Sequence, residues 1–471
     1  MKGLAGFVAA LAFACGSVQA QVPAPVRAAL AQAHVPLDAV AIRVERVEGG
    51  RAAVSHRDQV PMSPASVLKL VTSYAALDLL GPAYTFKTDV LVRGKLSAGV
   101  LEGDLVLRGG GDPKLTYERL WQLVQNLRAR GVREIGGDVI LDRSFFAPAP
   151  FDPAGFDQDP RRAYNVGADA LLVNFGSVQF HFLPEGDAVR VVAEPDLPNV
   201  EIQSSIATTP DPCRSWRREL SQEVIAHGLI ATVVFTGRMP AACGEKTWPL
   251  TVLEGRFTES MFRWLWSSTG GVLRGTVREG ATPADARLFL RQESETLAEL
   301  VHAMNKFSNN VMARHLFLAL SARDGRAGEV AASDRIAREW LAARGIDARG
   351  AVLDNGSGLS RDARLTAAQL AALLRSAWAS PLMPEIVSSL PIYGVDGTLK
   401  ERRDRGALGA AHLKGGTLNG VQSMAGYVDD TAGRRWIVVM MVNHPRAGDA
   451  QPALDALVAW VREHDRPRDS R

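Results

Sequence analysis

The stretch that decides the fold is SPASVLKLVTSYAALDLL, residues 63–80. Apolar side chains lie on nearly all sides of it, which is typical of a helix buried inside a domain. Ser63 is a good helix cap, Pro64 suits a first helical position, and Gly81 with the proline after it stops the helix. We therefore predict a buried helix from Pro64 to the end of the stretch. Lys69 is its only charged residue before the last turn.

Ser66 and Lys69 form an S-x-x-K motif in this helix, where positions three apart share one face and can touch. A serine hydroxyl is a weak nucleophile, and a desolvated lysine with a lowered pKa can act as its base. The first turn also favours developing negative charge through its free N–H groups and dipole. The pattern is common by chance. Its alternative reading is a serine near the cap and a lysine that extends to solvent.

A second motif, Ser308-Asn309-Asn310, falls in a polar break between two helices with apolar faces. Read alone, it is a turn between helices. In a site that contains Lys69, the Ser308 hydroxyl can pass protons and the Asn310 amide can hold a substrate amide.

The third motif, Lys414-Gly415-Gly416-Thr417, precedes a strand and is by itself a glycine turn. In a catalytic site, Lys414 supplies a cation for a substrate carboxylate. The Thr417 N–H can join the N–H of Ser66 as an oxyanion hole.

The order S-x-x-K, S-x-N, K-x-G is far more specific than its parts, and is known from class A β-lactamases and penicillin-binding proteins. The chain resembles the D-alanyl-D-alanine carboxypeptidase/endopeptidase family, the class C low-molecular-mass penicillin-binding proteins, over nearly all of its mature length. Three further segments resemble this family, namely GGGDP at 109–113, DNGSGLSR at 354–361 and GVDGTL at 394–399. The gap between Ser66 and Ser308 is much longer than in a β-lactamase, and the family fills it with a largely β insertion.

The resemblance implies an α/β fold of the penicilloyl-serine-transferase (β-lactamase/transpeptidase-like) type with a large β-rich insertion. It implies that Ser66, with Lys69 as base, attacks the carbonyl between two D-alanines and forms an acyl-enzyme that water releases. The same site would cut the D-alanyl–diaminopimelyl bond of a cross-link. Asn310 would hold the acyl side, and Ser308 would relay a proton to the leaving amine.

The resemblance also implies substrate binding by Lys414, Gly416 and Thr417. The partners it implies are peptidoglycan stem peptides, with β-lactam antibiotics as inhibitors, and it calls for no metal or organic cofactor. One position departs from the family, because Gly415 replaces the threonine of the usual K-T-G. That hydroxyl normally helps to position the substrate, so the substitution removes a donor and adds backbone freedom.

The distribution of predicted strands, turns and helices along the chain indicates its domains. Short apolar runs between Gly, Asp and Pro turns dominate residues 86–282, where one helix is predicted at 117–130, and helical spacing returns afterwards. We predict a catalytic domain in two parts, 21–85 and 283–471, with 86–282 as the β-rich insertion.

Residues 1–20 have the pattern of a secretory signal, with a basic Lys2, an apolar run and Val18-Gln19-Ala20 as a cleavage site. A membrane anchor is the alternative, but the run is shorter than the roughly 20 residues that span a bilayer. We predict cleavage, export to the periplasm and no transmembrane segment.

Cleavage leaves two cysteines, Cys213 and Cys243, both in polar, loop-like sequence. In an oxidising compartment such a pair forms a disulfide, and two buried free thiols are the alternative. Closing a loop of about thirty residues contributes roughly 3 kcal/mol on a chain-entropy model.

The composition narrows the classes of function. The chain has 471 residues, 54 of them basic and 51 acidic, with a formal net charge of +3. A net charge this small does not indicate the strongly basic surface that general nucleic-acid binding needs. None of the nine histidines forms an H-E-x-x-H pair, which disfavours a zinc peptidase.

Two alternatives stay open beside the peptidase. A β-lactamase shares the three motifs, but the long insertion and the lack of an evident separate deacylating carboxylate motif disfavour it. A non-catalytic cell-wall binding protein with the same fold is favoured only by Gly415.

Overall fold

The fold is described from a computed structural model, which covers residues 21–323, 325–402 and 407–464. The predicted signal, residues 1–20, lies outside these ranges. The strands are β1 Val40–Arg46, β2 Val54–His56, β3 Lys87–Ser97, β4 Val100–Arg108, β5 Glu134–Ile135, β6 Val139–Asp142, β7 Val178–Glu185, β8 Ala188–Glu194, β9 Val200–Thr209, β10 Leu220–His227, β11 Ile230–Pro240, β12 Lys246–Leu250, β13 Val272–Leu273, β14 Val277–Glu279, β15 Arg287–Glu293, β16 Ala411–Leu418, β17 Val421–Asp429 and β18 Arg435–Asn443. The helices are α1 Ala24–Gln32, α2 Lys69–Leu80, α3 Tyr117–Ala129, α4 Phe257–Ser268, α5 Leu297–Phe307, α6 Asn310–Ala319, α7 Val330–Ala343, α8 Ala367–Trp378, α9 Met383–Ser389 and α10 Gln451–Glu463.

One antiparallel sheet joins the two ends of the described chain, in the order β16-β17-β18-β1-β2. Every residue of β18 from 436 to 442 is buried, because helices cover both faces of the sheet. Ile437, Val439 and Met441 pack into one apolar cluster with α2, α5, α6 and α8. The alternate residues of β18 point to the other face and pack into a second cluster with α1 and α10, namely Trp436, Val438, Met440 and Val442. The result is a helix–sheet–helix sandwich in which strand β16 forms one edge.

The buried helix predicted from Pro64 begins differently from the prediction. It starts as a 3-10 turn over Ala65–Leu68, and the α-helix runs over Lys69–Leu80, with each residue from 69 to 77 buried. Ala65 has a left-handed backbone (φ 47°). The predicted Ser63 cap is wrong, since its hydroxyl has no hydrogen-bond partner among the described residues. The apolar pattern gave the burial correctly but carries no information about the tightness of the first turn.

The middle of the chain forms two further sheets. One is six-stranded, in the order β10-β11-β9-β8-β7-β12, and the other is built around β3 and β4. Helix α3 lies where the sequence predicted it, but α4 was missed because its apolar positions are largely aromatic, a feature shared with strands. The domain boundaries stay a prediction. Strand β15, which lies beyond residue 282, pairs with β3.

Cys213 and Cys243 form a disulfide, as predicted, which links the chain before β10 to the chain after β11. Within the ranges that the structure covers, every helix is too short or too polar to cross a bilayer.

Candidate active site

Lys69 lies at the centre of the first and second motifs. Its Nζ is 3.0 Å from Ser66 Oγ, 2.7 Å from Asn310 Oδ1 and 2.6 Å from the main-chain oxygen of Ser357. A neutral amine has two N–H donors and one lone pair. When the Asn310 and Ser357 oxygens accept the two N–H groups, the lone pair of the free amine faces the Ser66 hydroxyl. This is the geometry of a base beside a nucleophile.

The protonation of Lys69 fits that geometry. The side chain is fully buried, and burial holds the pKa of its amine well below the ordinary value of 10.5. The positive charges of Lys414 and Arg314 lower the pKa further. The amine is therefore available as a free base much nearer to neutral pH than an exposed lysine.

Ser357 is a site residue that the sequence analysis did not assign. It belongs to the DNGSGLSR segment, which folds against the start of α2, where Thr72 Oγ1 donates to the Gly356 oxygen at 2.6 Å. Ser357 contributes its main-chain carbonyl, so its side chain gives no chemical signal in the sequence. The resemblance of the segment to a known family was the only available pointer.

Lys414 and Ser308 form the second half of the site. Lys414 Nζ donates to Ser308 Oγ at 2.8 Å and to the Gly415 oxygen at 2.7 Å. Lys414 is fully buried, and burial lowers its pKa to about 7. Ser308 ends helix α5 in a left-handed conformation (φ 57°), and Asn309 caps α6 by accepting from the Met312 N–H. The polar break is thus a tight two-residue link that points the Ser308 hydroxyl at Lys414.

The edge strand β16 passes directly over the S-x-x-K turn. A Cβ on Gly416 would lie 2.8 Å from Ser66 N and 2.5 Å from Ser423 Oγ, so only glycine fits there. The Leu413 N–H donates to Pro391 on the side away from β17. Main-chain groups two residues apart along a strand point the same way, so the Thr417 N–H also points away from β17.

Gly415 differs from its neighbour, because a Cβ placed on it would meet no atom within 4 Å. Its side-chain position is open space, so a Cβ fits there without moving the strand. The Thr417 hydroxyl, two residues along the same strand, donates to Gln422 Oε1 at 3.0 Å. Elsewhere in the described residues, no group of three or more His, Cys, Asp or Glu is arranged to hold a metal ion.

The chain is similar to known proteins over most of its length. A sequence profile of the D-Ala-D-Ala carboxypeptidase 3 (S13) family matches residues 22–464. The D-alanyl-D-alanine carboxypeptidase of Actinomadura sp. (strain R39) is 30% identical over 416 residues, which cover 85% of this chain and 77% of that protein.

Two solved structures share the fold. Penicillin binding protein 4 from Haemophilus influenzae has a TM-score of 0.76 at 21% identity, covering 93% of this chain and 98% of its own. The Bd3459 predatory endopeptidase from Bdellovibrio bacteriovorus, solved with its immunity protein Bd3460, has a TM-score of 0.53 at 15% identity, covering 90% of this chain and 93% of its own. The predicted α/β fold with a β-rich insertion is confirmed. Since the family profile spans almost all of the described residues, the chain belongs to the D-Ala-D-Ala carboxypeptidase 3 (S13) family.

Proposed function

We propose that this protein is a serine-type D-Ala-D-Ala carboxypeptidase that also cuts peptidoglycan cross-links as a DD-endopeptidase. β-Lactams inhibit it by acylating Ser66. The contact between Lys69 Nζ and Ser66 Oγ, inside a fully buried polar cluster, is the observation that carries the proposal. The names of the relatives support the substrate class, because they include D-alanyl-D-alanine carboxypeptidases, a penicillin binding protein and an endopeptidase.

In the first step, Lys69 accepts the proton of the Ser66 hydroxyl as Oγ attacks the carbonyl between the two D-alanines. The ammonium that forms keeps two of its N–H groups on the Asn310 and Ser357 oxygens, which stabilise its charge. The N–H groups of Ser66 and Thr417 stabilise the oxyanion. Asn310 Oδ1 is occupied by Lys69, so its Nδ2 donors remain to hold the acyl-side carbonyl of the peptide.

In the second step, the leaving amine needs a proton and the substrate carboxylate needs a cation. Lys414 provides the cation next to the carboxylate, and its hydrogen bond to Ser308 Oγ leaves the Ser308 proton free to move to the leaving amine. The C–N bond breaks and the terminal D-alanine departs. The Lys69 ammonium then returns the proton it took from Ser66 to the Ser308 oxygen, which restores the Ser308 hydroxyl and leaves Lys69 as a free amine. Water then attacks the acyl-enzyme with Lys69 as base and regenerates Ser66.

The setting of this activity is also a proposal. We propose that residues 1–20 are a cleaved export signal and that the enzyme works in the periplasm, where the wall peptides are found. The disulfide between Cys213 and Cys243 supports an oxidising compartment. The division at 21–85, 86–282 and 283–471 remains our proposal for the domains.

The test is acylation by benzylpenicillin followed by intact-mass analysis, with Ser66→Ala as the matched control. We expect a stable adduct of one penicillin on the wild type and none on the variant. Release of D-alanine from a pentapeptide and cleavage of a cross-linked dimer then measure the two peptidase activities. Rapid loss of the adduct with penicillin turnover would replace the proposal with a β-lactamase. The absence of any adduct or cleavage would leave a non-catalytic binding protein.

A further inference from the structure

The turn that carries the nucleophile has an unfavourable backbone conformation. Ala65, the residue directly before Ser66, is fully buried and left-handed, with a φ of 47°. Residues other than glycine rarely adopt this conformation, because their Cβ crowds the main chain there. Such a residue persists where the surrounding structure holds it in place, and it is often found at functional sites. The contacts that hold this turn are therefore candidates for a role in the reaction.

Two side chains of the five-stranded sheet bind the main chain just before this residue. The amide of Asn443, at the end of β18, accepts from the Ser63 N–H at 2.7 Å and donates to the Ser63 oxygen at 3.1 Å. The hydroxyl of Ser423, on β17, donates to the Pro64 oxygen at 2.6 Å. The same Pro64 oxygen accepts from the Val67 N–H at 3.2 Å, which closes the turn. Ser423 is thus bonded to the carbonyl that closes the turn.

Ser423 also contacts the strand on the other side of the proposed oxyanion hole. It pairs with Gly416 on β16, and its Oγ is 3.3 Å from the Gly416 oxygen. Gly416 in turn lies against Ser66, since a Cβ placed on it would be 2.8 Å from Ser66 N. One hydroxyl, in a residue that is 1% exposed, therefore touches both the turn that carries the Ser66 N–H and the strand that carries the Thr417 N–H. These are the two donors of the proposed oxyanion hole.

The turn is packed closely enough that the loss of one contact shifts it only slightly. A Cβ on Gly358, in the segment 354–361, would collide with the Ala65 oxygen, so this segment lies directly against the turn. The contacts of Asn443 with Ser63 remain when the Ser423 hydroxyl is removed. Close packing resists large movements but transmits small ones. A small displacement of a group at the reacting centre is enough to change a rate substantially.

We infer that Ser423 is a positioning residue for acylation, because its hydroxyl fixes the place of the Ser66 N–H in the oxyanion hole. The inference rests on the proposed function, since it concerns the hole that stabilises the oxyanion of that reaction. Donors of an oxyanion hole act by being aimed in advance at the place where charge develops. A displaced donor therefore weakens the transition state more than the non-covalent complex, in which the carbonyl carries less charge.

The test compares two buried hydroxyls of the same strand. Ser423→Ala removes the contact with Pro64, and Tyr427→Phe is the matched control, because the Tyr427 hydroxyl is also buried and donates to the Leu374 main-chain oxygen at 2.7 Å. Stopped-flow kinetics at high benzylpenicillin concentration separate the non-covalent affinity from the rate of the acylation step. We expect Ser423→Ala to slow this step about 10- to 100-fold and to leave the affinity within about twofold of wild type. Tyr427→Phe should change neither quantity, and urea unfolding checks that both variants are folded.

A second measurement addresses the oxyanion hole directly. An acylaminomethylboronic acid forms a tetrahedral anion on Ser66 that resembles the transition state, with one oxygen in the hole. Ser423→Ala should weaken its binding by about the same factor as it slows acylation, while Tyr427→Phe binds it like wild type.

An unchanged acylation rate in folded Ser423→Ala, or an equal loss of rate in Tyr427→Phe, would overturn the inference. The proposed function fails separately, if wild type itself forms no penicillin adduct. If Ser423→Ala does not fold, Ser423→Cys takes its place in both measurements, because a thiol of similar size is only a weak donor. The same comparison with Tyr427→Phe then decides the outcome.

Discussion

The titratable side chains that we compare in the active site and in the middle region have opposite surroundings. Lys69 and Lys414 are fully buried, and their amines contact neutral oxygens of hydroxyl, amide and carbonyl groups. In the middle region His181 bridges the carboxylates of Glu194 and Glu245, both more than half exposed. Burying a charge without a counter-charge destabilises a fold, so such groups persist where they do chemistry. Substitutions in the first region should change rates, and substitutions in the second should change stability.

Replacing Lys69, the buried base, is the strongest test of the expectation that substitutions in the active site change rates. We expect Lys69→Met to slow acylation of Ser66 by benzylpenicillin by roughly 10²–10⁴-fold, because the nucleophile loses its general base. The free energy of unfolding should change by less than about 2 kcal/mol, since the lost hydrogen bonds are offset by the removal of a desolvated amine. Intact-mass kinetics and urea unfolding measure the two quantities. A variant that unfolds easily but still acylates at the wild-type rate would reverse the contrast.

Two adjacent glycines provide a matched pair within the site. We expect Gly416→Ala to slow acylation roughly 10²-fold, because its Cβ pushes β16 away from Ser66 N and opens the oxyanion hole. Gly415→Ala, where the added atom meets open space, should leave acylation within about threefold of wild type.

Gly415→Thr extends this pair and should raise kcat/KM on D-Ala-D-Ala peptides about tenfold by restoring a donor for the substrate. Steady-state assays of D-alanine release measure it. Equal effects of alanine at the two positions would contradict the assigned contact between Gly416 and Ser66.

The disulfide tests the second half of the contrast. We expect the double variant Cys213→Ala with Cys243→Ala to lose about 3 kcal/mol of stability, because the unfolded chain is no longer constrained by the closed loop. Acylation at 25 °C should stay unchanged, because the link joins the segments that flank β10 and β11 of the six-stranded sheet, whereas the three motifs lie on other elements. Urea unfolding and penicillin kinetics on the same sample give both numbers. A loss of acylation in folded protein would mean that the middle region shapes the active site.

The active-site region was largely predictable from the sequence, for physical reasons that do not hold for its surroundings. Helical spacing alone places Ser66 beside Lys69, because residues three apart share a face in both 3-10 and α-helices. The contact between Lys69 and Ser357 was not predictable, since a main-chain carbonyl is the same in every residue.

The burial of charged side chains could not be predicted from the sequence either. The sequence has no pattern that distinguishes a buried Arg314 from an exposed one. Its burial comes with contacts to Phe151, Tyr164 and Val166, which are distant in the sequence. Ser308, which was predicted to pass protons near Lys69, has its hydroxyl beside Lys414, whose Nζ donates to Ser308 Oγ. Contacts between residues that are close in the sequence could therefore be predicted, whereas contacts with residues from distant segments could not.

A pH profile tests whether Lys414 acts as the carboxylate-binding cation. Because burial lowers its pKa to about 7, the free enzyme loses this cation as the pH rises through 7. We expect kcat/KM on D-Ala-D-Ala peptides to fall about tenfold per pH unit on the alkaline side. Lys414→Arg should move this decline to higher pH, since arginine stays charged. A profile that keeps its decline near 7 in the arginine variant would assign it to another group.

The smallest expected effect concerns His181 on strand β7. Its imidazole contacts Glu194 at the end of β8 and Glu245 just before β12. Hydrogen bonds to Glu245 and Glu194 raise its pKa above the ordinary 6.5. A raised pKa in the folded state means that the stabilisation is complete below pH 6.5 and is lost as the pH rises through the folded-state value.

We expect this interaction to contribute less than about 1 kcal/mol, because the carboxylates are exposed to solvent and salt. Urea unfolding of wild type and His181→Gln across pH 5.5–9 measures it as the difference between the two curves. The curves should differ at acidic pH and converge at alkaline pH, while penicillin acylation stays the same in both proteins at each pH. A change in acylation that follows the protonation of His181 would show that charge in the middle region reaches the active site, and would remove the separation on which the contrast between the two regions depends.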